Sequence, residues 1–261
     1  KYTLSQVLTN VNFEGISIVI PEECVEEVPE NITVIKNEKL KYLVAAIAGC
    51  FLFFVGSIIY YYGIYAVTNN VTGISFVDFM NHLTAYSDPM ALSILQYVSY
   101  VPFLLVMLIL FRDDLLIDWI NFKINWKKYL IYVGVGIVCI FVANFIVSFI
   151  YMLLKIEGES NNEEIITKML LSEGALPMII SVVILAPLAE ELLFRKIMFG
   201  VCEKTLNLKP IITIVLSTLV FSFIHVTDVE SLKYIFQYIP LALIMCSIYH
   251  LSDNNIFASI L

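Results

Sequence analysis

Long apolar blocks alternate with short charged stretches along this chain, and the blocks are long enough to cross a bilayer. A spanning helix takes about 20 mostly apolar residues, and such blocks cover 42–66, 90–111, 129–154, 175–200, 210–227 and 234–251. A seventh begins near Ile256 and is cut off at Leu261. The pattern predicts an all-α fold, a polytopic transmembrane helical bundle with at least six spans and a truncated seventh. Residues 1–40 are expected not to span, because polar and acidic residues interrupt them every few positions. They read as a short acidic segment in which Ile16–Pro21 alternates weakly like a strand and Glu22–Glu30 forms a solvated surface. Residues 41–174 then hold the N-terminal transmembrane helices, and 175–261 a C-terminal core.

Composition agrees with the pattern. Hydrophobic residues make up 60% of the chain and charged ones 15%, with a mean hydropathy of +0.88, whereas soluble domains carry about 25% charged residues. The net charge of −8 comes largely from the N-terminal run and from the loop Glu157–Glu173, so nucleic-acid binding finds no support. The loops alternate in sign. Lys36, Lys39 and Lys41 precede the first span, Asp78 and Asp88 follow it, and Arg112, Lys123, Lys127 and Lys128 come next. Glu163 and Glu164 mark the following loop, and Lys204 and Lys209 the one after. By the positive-inside rule the N-terminus and the loops at 112–128 and 203–209 are expected in the cytoplasm, and those at 67–89 and 156–173 outside. Trp119 and Trp126 flank the 112–128 loop as interfacial aromatic residues do. No signal peptide is visible, so the first spanning helix is the expected targeting element. The excess of Lys over Arg, with abundant Ile and Asn, points to a bacterial cell membrane.

The five cysteines (Cys24, Cys50, Cys139, Cys202, Cys246) show no CxxC or paired spacing, which gives neither a disulfide framework nor a metal cluster. The sequons Asn31-Ile-Thr33 and Asn70-Val-Thr72 read as chance matches.

Chemistry concentrates in Leu185-Ala-Pro-Leu-Ala-Glu190-Glu191-Leu-Leu-Phe-Arg195-Lys196, which follows sixteen residues without a charge. An ionised side chain near the bilayer centre costs roughly 2.5–3.5 kcal/mol on insertion scales, so such groups face the bundle interior or a wet cavity and mark function by default. On a helix Glu191 and Arg195 are i,i+4 neighbours that can pair, while Glu190 projects about 100° away and stays available. The competing reading is an interfacial charge cluster where the fourth span leaves the bilayer. Lys196 reads as a residue that snorkels to the interface and tolerates substitution.

In the next apolar block Ser217, Phe221 and His225 recur every fourth residue, and Ser222 lies three before His225. Their polar atoms share one helical face, which should point inward. Here the alternative is a histidine that only bonds neighbouring helices. Depth links the two features. With a turn near Asn207–Pro210, Glu190 and His225 lie roughly 26 and 23 Å from it at 1.5 Å per residue, level in an antiparallel hairpin. A carboxylate level with an imidazole in a wet pocket can activate water for attack on a carbonyl.

Glu190-Glu191-x-x-x-Arg195 followed by Phe221-x-x-x-His225 resembles the first two motifs of the CAAX-processing and bacteriocin-processing (CPBP, Abi) family of intramembrane glutamate-type endopeptidases, over about 175–261. The resemblance implies that Glu190 activates water, that His225 holds it or stabilises the oxyanion, that Glu191 and Arg195 support them, and that Phe221 lines the pocket. The implied substrates are membrane-associated peptides or protein tails, among them bacteriocin or signalling-peptide precursors. The family's third motif is a His followed four residues later by Asn or Asp. His250-Leu-Ser-Asp-Asn254 fits it, but the stretch from Tyr249 to Leu261 is closer to the loop and helix start that lead into it, which would place the third His beyond Leu261 and leave His250 interfacial and His82 in a loop.

HExxH, GxGD and GxSG signatures are absent, and one His with one Glu falls short of the three protein ligands of a catalytic zinc site, so no cofactor is assigned. Two rival classes are a non-enzymatic membrane scaffold or bacteriocin-immunity protein on the same fold, and a transporter, which would need inverted repeats or paired broken helices that the sequence does not display.

Overall fold

The protein is described here by a computed structural model, which covers residues 17–18, 33–34, 38–56, 58–59, 62, 89–158, 160–172, 175–226 and 229–261. The loop 67–88, His82, the acidic run Glu22–Glu30 and most of the sequon residues lie outside the described residues. Helices dominate: α1 Glu38–Gly56, α2 Pro89–Leu110, α3 Arg112–Leu154, α4 Asn161–Leu170, α5 Ala175–Thr205, α6 Pro210–Ile224, α7 Glu230–Leu251 and α8 Ile256–Ile260. Apart from them a two-residue parallel pair joins Ser17–Ile18 to Thr33–Val34, the first of the two within the stretch Ile16–Pro21 read as strand-like.

Four helices, α1, α3, α5 and α7, are long and apolar enough to cross a membrane, and Ser99–Leu110 of α2 and all of α6 are shorter apolar helices. The chain is an all-α helical membrane bundle. Its core is shared by α1 (Tyr42, Ala45), α2 (Phe103, Met107), α5 (Leu192, Phe194, Ile197, Phe199), α6 (Phe221) and α7 (Ala242, Cys246, Tyr249). The α1–α5 crossing is close because of Gly200: a Cβ there would sit 2.0 Å from the Tyr42 ring. On the opposite surface α3 leaves Ile131, Val138, Phe141, Phe145 and Leu153 exposed, as expected of a helix that faces lipid tails as apolar as itself.

Two loops of the sequence reading are corrected. The stretch 112–128 is helical and continues into the span as one helix of 43 residues, because neither Gly nor Pro interrupts 112–133. Its charges fall on the sides: Asp113 and Asp114 occupy the first turn, where the helix dipole favours them. The 156–173 loop likewise contains α4. Its start is capped by Ser160, whose side chain accepts the Glu163 N–H, the arrangement that makes Ser a strong N-cap.

Lys196 is corrected as well. It is buried, 6% exposed, and donates to Asp118 Oδ2 at 2.6 Å. The same carboxylate receives the Ile256 N–H at 3.4 Å, and Asn255 Nδ2 donates to the Asp118 carbonyl at 2.6 Å. Lys196 thus belongs to a buried junction of α3, α5 and the start of α8. The sequence placed it correctly at the end of an apolar block but could not reveal that α3 supplies a carboxylate there.

Candidate active site

The fourth span bends its own backbone where the carboxylates lie. Pro187 has no N–H to give the turn before it, and that turn, Ser181–Leu185, is wound wide, with the Ala186 N–H reaching the Ser181 carbonyl. A short regular stretch, Ala186–Glu190, follows, and Glu191–Ile197 widens again. Wide π-type turns inside membrane helices recur at functional sites. Here the change of winding falls between Glu190 and Glu191, and it sends the two carboxylates to different surroundings.

Glu191 turns into the core, 5% exposed, and faces Arg195, 1% exposed, with Oε1 3.3 Å from Nη1. The guanidinium lies over the Phe221 ring, 5.1 Å from its centroid, and Phe194 meets the same ring edge-on at 5.1 Å. Glu190 instead lines a cavity of about 410 Å³ together with Phe53, Tyr100, Glu163, Phe194, Phe221, His225 and Tyr238.

His225 caps the C-terminus of α6, a helix lashed to α5 by the Ser217 hydroxyl, which donates to the Phe194 carbonyl at 2.8 Å. The imidazole Nδ1 lies 2.8 Å from the Phe221 carbonyl. A carbonyl only accepts, so Nδ1 carries a proton, and in the neutral ring Nε2 keeps its lone pair. That Nε2 stands 3.9 Å from Glu190 Oε1. The ring is held between two others, Phe221 at 4.4 Å and Tyr238 at 4.9 Å, and the Tyr238 hydroxyl shares a hydrogen with the buried Ser160 hydroxyl at 2.6 Å.

The structure therefore brings Glu190, His225 and Phe221 to one cavity and sets Glu191 and Arg195 directly behind it. His250 and Asn254 do not join them. They end α7 and begin the turn after it, where Asn254 Nδ2 donates to Glu203 Oε2 at 3.2 Å, beside Asp118, Lys196 and Lys204 in a separate pocket. Residues that the sequence reading did not assign to the site are Tyr100, Tyr238 and Glu163, all in the cavity wall. Tyr100 and Tyr238 looked like ordinary members of apolar blocks, and Glu163 like one charge of a solvated loop. Among the described residues no group of three or more His, Cys, Asp or Glu side chains comes together as a metal site would require, and Cys50, Cys139, Cys202 and Cys246 are free.

A helical bundle with a carboxylate and an imidazole facing each other across an internal cavity defines a membrane protein with a polar site inside its span. Residues 172–261 match the family described as Rce1-like, Type II CAAX prenyl endopeptidase Rce1-like, the CAAX-processing group that the motifs resemble. At the level of the family this supports a membrane-resident protease. No curated protein and no solved structure matches the chain significantly.

Proposed function

We propose that the protein is an intramembrane endopeptidase that hydrolyses peptide bonds of membrane-associated peptides or protein tails with a water activated by Glu190 and His225. The observation that carries this reading is the 3.9 Å gap between Glu190 Oε1 and His225 Nε2, with Nδ1 turned to the Phe221 carbonyl. The gap is too long for a hydrogen bond, yet a water about 2.8 Å from both atoms bridges it with an angle of about 90° at its oxygen, somewhat tighter than its own 104° or so. Such a water gives one hydrogen to each acceptor and keeps its lone pairs for a carbonyl in the cavity. Glu190 takes the proton as the water oxygen bonds to the carbonyl carbon, and returns it to the amide nitrogen as the C–N bond breaks. The His225 ring, fixed between Phe221 and Tyr238, orients the water. Glu191 and Arg195 act as positioning residues through Phe221.

The test is cleavage by the full chain in liposomes of single-span peptide precursors taken from the membrane of its host, with products read by mass. New peptide termini absent from protein-free liposomes are expected; their absence across the whole panel would overturn the reading.

We also infer a cytoplasmic N-terminus and turn at Lys204–Lys209, supported by the basic residues gathered at that end of the bundle. In this orientation α4 faces outside, and a cysteine replacing Glu164 in a cysteine-free background reacts with an impermeant reagent on intact cells. Reaction only after lysis would invert the assignment.

A further inference from the structure

We propose that Glu163 is a specificity-determining residue that reads a positively charged substrate side chain, Lys or Arg, beside the bond that is cut. The proposal rests on the protease reading above, but on different residues. Glu163 lies in the first turn of α4, before the stretch 172–261 that carries the family match, so it belongs to the part of the cavity wall that this chain adds to the matched core. It lines the same cavity as Glu190 and His225, and among the described residues no Lys or Arg lines that cavity.

Its placement is fixed from behind. The Glu163 N–H is held by Ser160 Oγ at 3.3 Å, and Ser160 Oγ also bonds the Tyr238 hydroxyl, whose ring packs tilted against His225 at 4.9 Å. The Glu163 backbone is thus tied through two side chains to the imidazole that faces Glu190. The Glu163 carboxylate has no ion-pair partner among the described residues. The nearest basic residue along its helix, Lys168, pairs with Glu164 instead, and that pair is exposed.

Glu190 and Glu163 give the cavity two carboxylates, and the cation behind it, Arg195, is already paired with Glu191. In a partly enclosed site of low polarisability this arrangement favours a cationic group over a neutral one and penalises an anionic one. Glu190 must face the reacting carbonyl, which leaves Glu163, carried into the same cavity by a different helix, as the group free to meet a charged side chain nearby.

The experiment uses the full chain in liposomes and synthetic peptides with one apolar membrane segment followed by a polar stretch. Lys, Gln or Glu is placed in turn at each polar position, and cleavage is read by mass as kcat/KM. Binding of the same peptides to the Glu190→Gln protein is measured in parallel. At one position Lys is expected to exceed Glu by about tenfold or more, Glu163→Gln to flatten that difference, and Glu163→Lys to reverse it. Glu164→Gln, one residue away on the exposed face, should leave it intact. An unchanged Lys preference in Glu163→Gln, or equal affinity of the three peptide sets, would overturn the proposal even if cleavage is robust. If the wild type cuts nothing, the protease reading falls separately, and the binding comparison alone decides the role of Glu163. Glu163→Gln keeps the shape of the side chain, so the question stays answerable if Glu163→Lys does not fold.

Discussion

Glu190→Gln is expected to abolish cleavage, with kcat/KM falling by about a thousandfold or more, while the melting temperature in detergent holds or rises. Gln preserves the volume and hydrogen-bonding reach of Glu190 but cannot take a proton from water. The loss exceeds the 10²–10⁴ range ascribed to general acid–base catalysis alone only if the carboxylate also places the water. Stability should move the other way, because the substitution removes a charge from the interior of a membrane protein. The cleavage readout separates an enzyme from a scaffold, and the stability readout shows that a loss is not unfolding. A helix-packing role for Glu190 predicts retained phenotype, and cleavage by the purified variant within about tenfold of the wild type would refute the glutamate mechanism outright.

Arg195→Ala should give the largest loss of stability in the molecule, about 3–5 kcal/mol, the usual cost of removing one partner from a buried ion pair. The guanidinium is 1% exposed and Glu191 5%, so the abandoned carboxylate has no route to water. The pair is held by charge and by the Phe221 face: Arg195 Nε and Nη1 make no hydrogen bond to another described residue. That geometry sharpens the test. The double replacement Glu191→Gln with Arg195→Met fills the volume without charge and should recover most of the loss, since apolar substitutes for a buried pair are often neutral or better. Unfolding in increasing sodium dodecyl sulfate, read by circular dichroism, measures each variant. An Arg195→Ala protein as stable as the wild type would show that the pair does not support the core.

Much of this arrangement was legible because it is periodic and local. The apolar blocks announced the helices, Glu191 and Arg195 were paired by their spacing, and equal distances from the Asn207–Pro210 turn put Glu190 level with His225, as the structure places them. What was hidden came from elsewhere in the chain. Lys196 looked like a residue reaching for the interface until α3 brought Asp118 within 2.6 Å, a contact between positions 78 residues apart. The 112–128 stretch looked like a loop because its charges break the apolar run, yet charge does not break a helix; only Gly or Pro would have. Glu163 read as solvated because the amphipathic turn of α4 that aims it inward is set by Ser160 and by the tyrosine hydroxyl of a different helix.

The shortness of α6 carries a last consequence. Fifteen residues rise only about 22 Å, less than the roughly 30 Å of a bilayer's hydrocarbon layer, and the helix ends at His225, the very residue that faces Glu190. Beyond it the backbone leaves the helix and must find partners within the protein or in water, since bare lipid offers none. Where lipid meets α6 directly, that mismatch favours local thinning of the bilayer. A peptide bond lying several ångströms below the surface of the surrounding membrane is, next to this helix, already at the waterline.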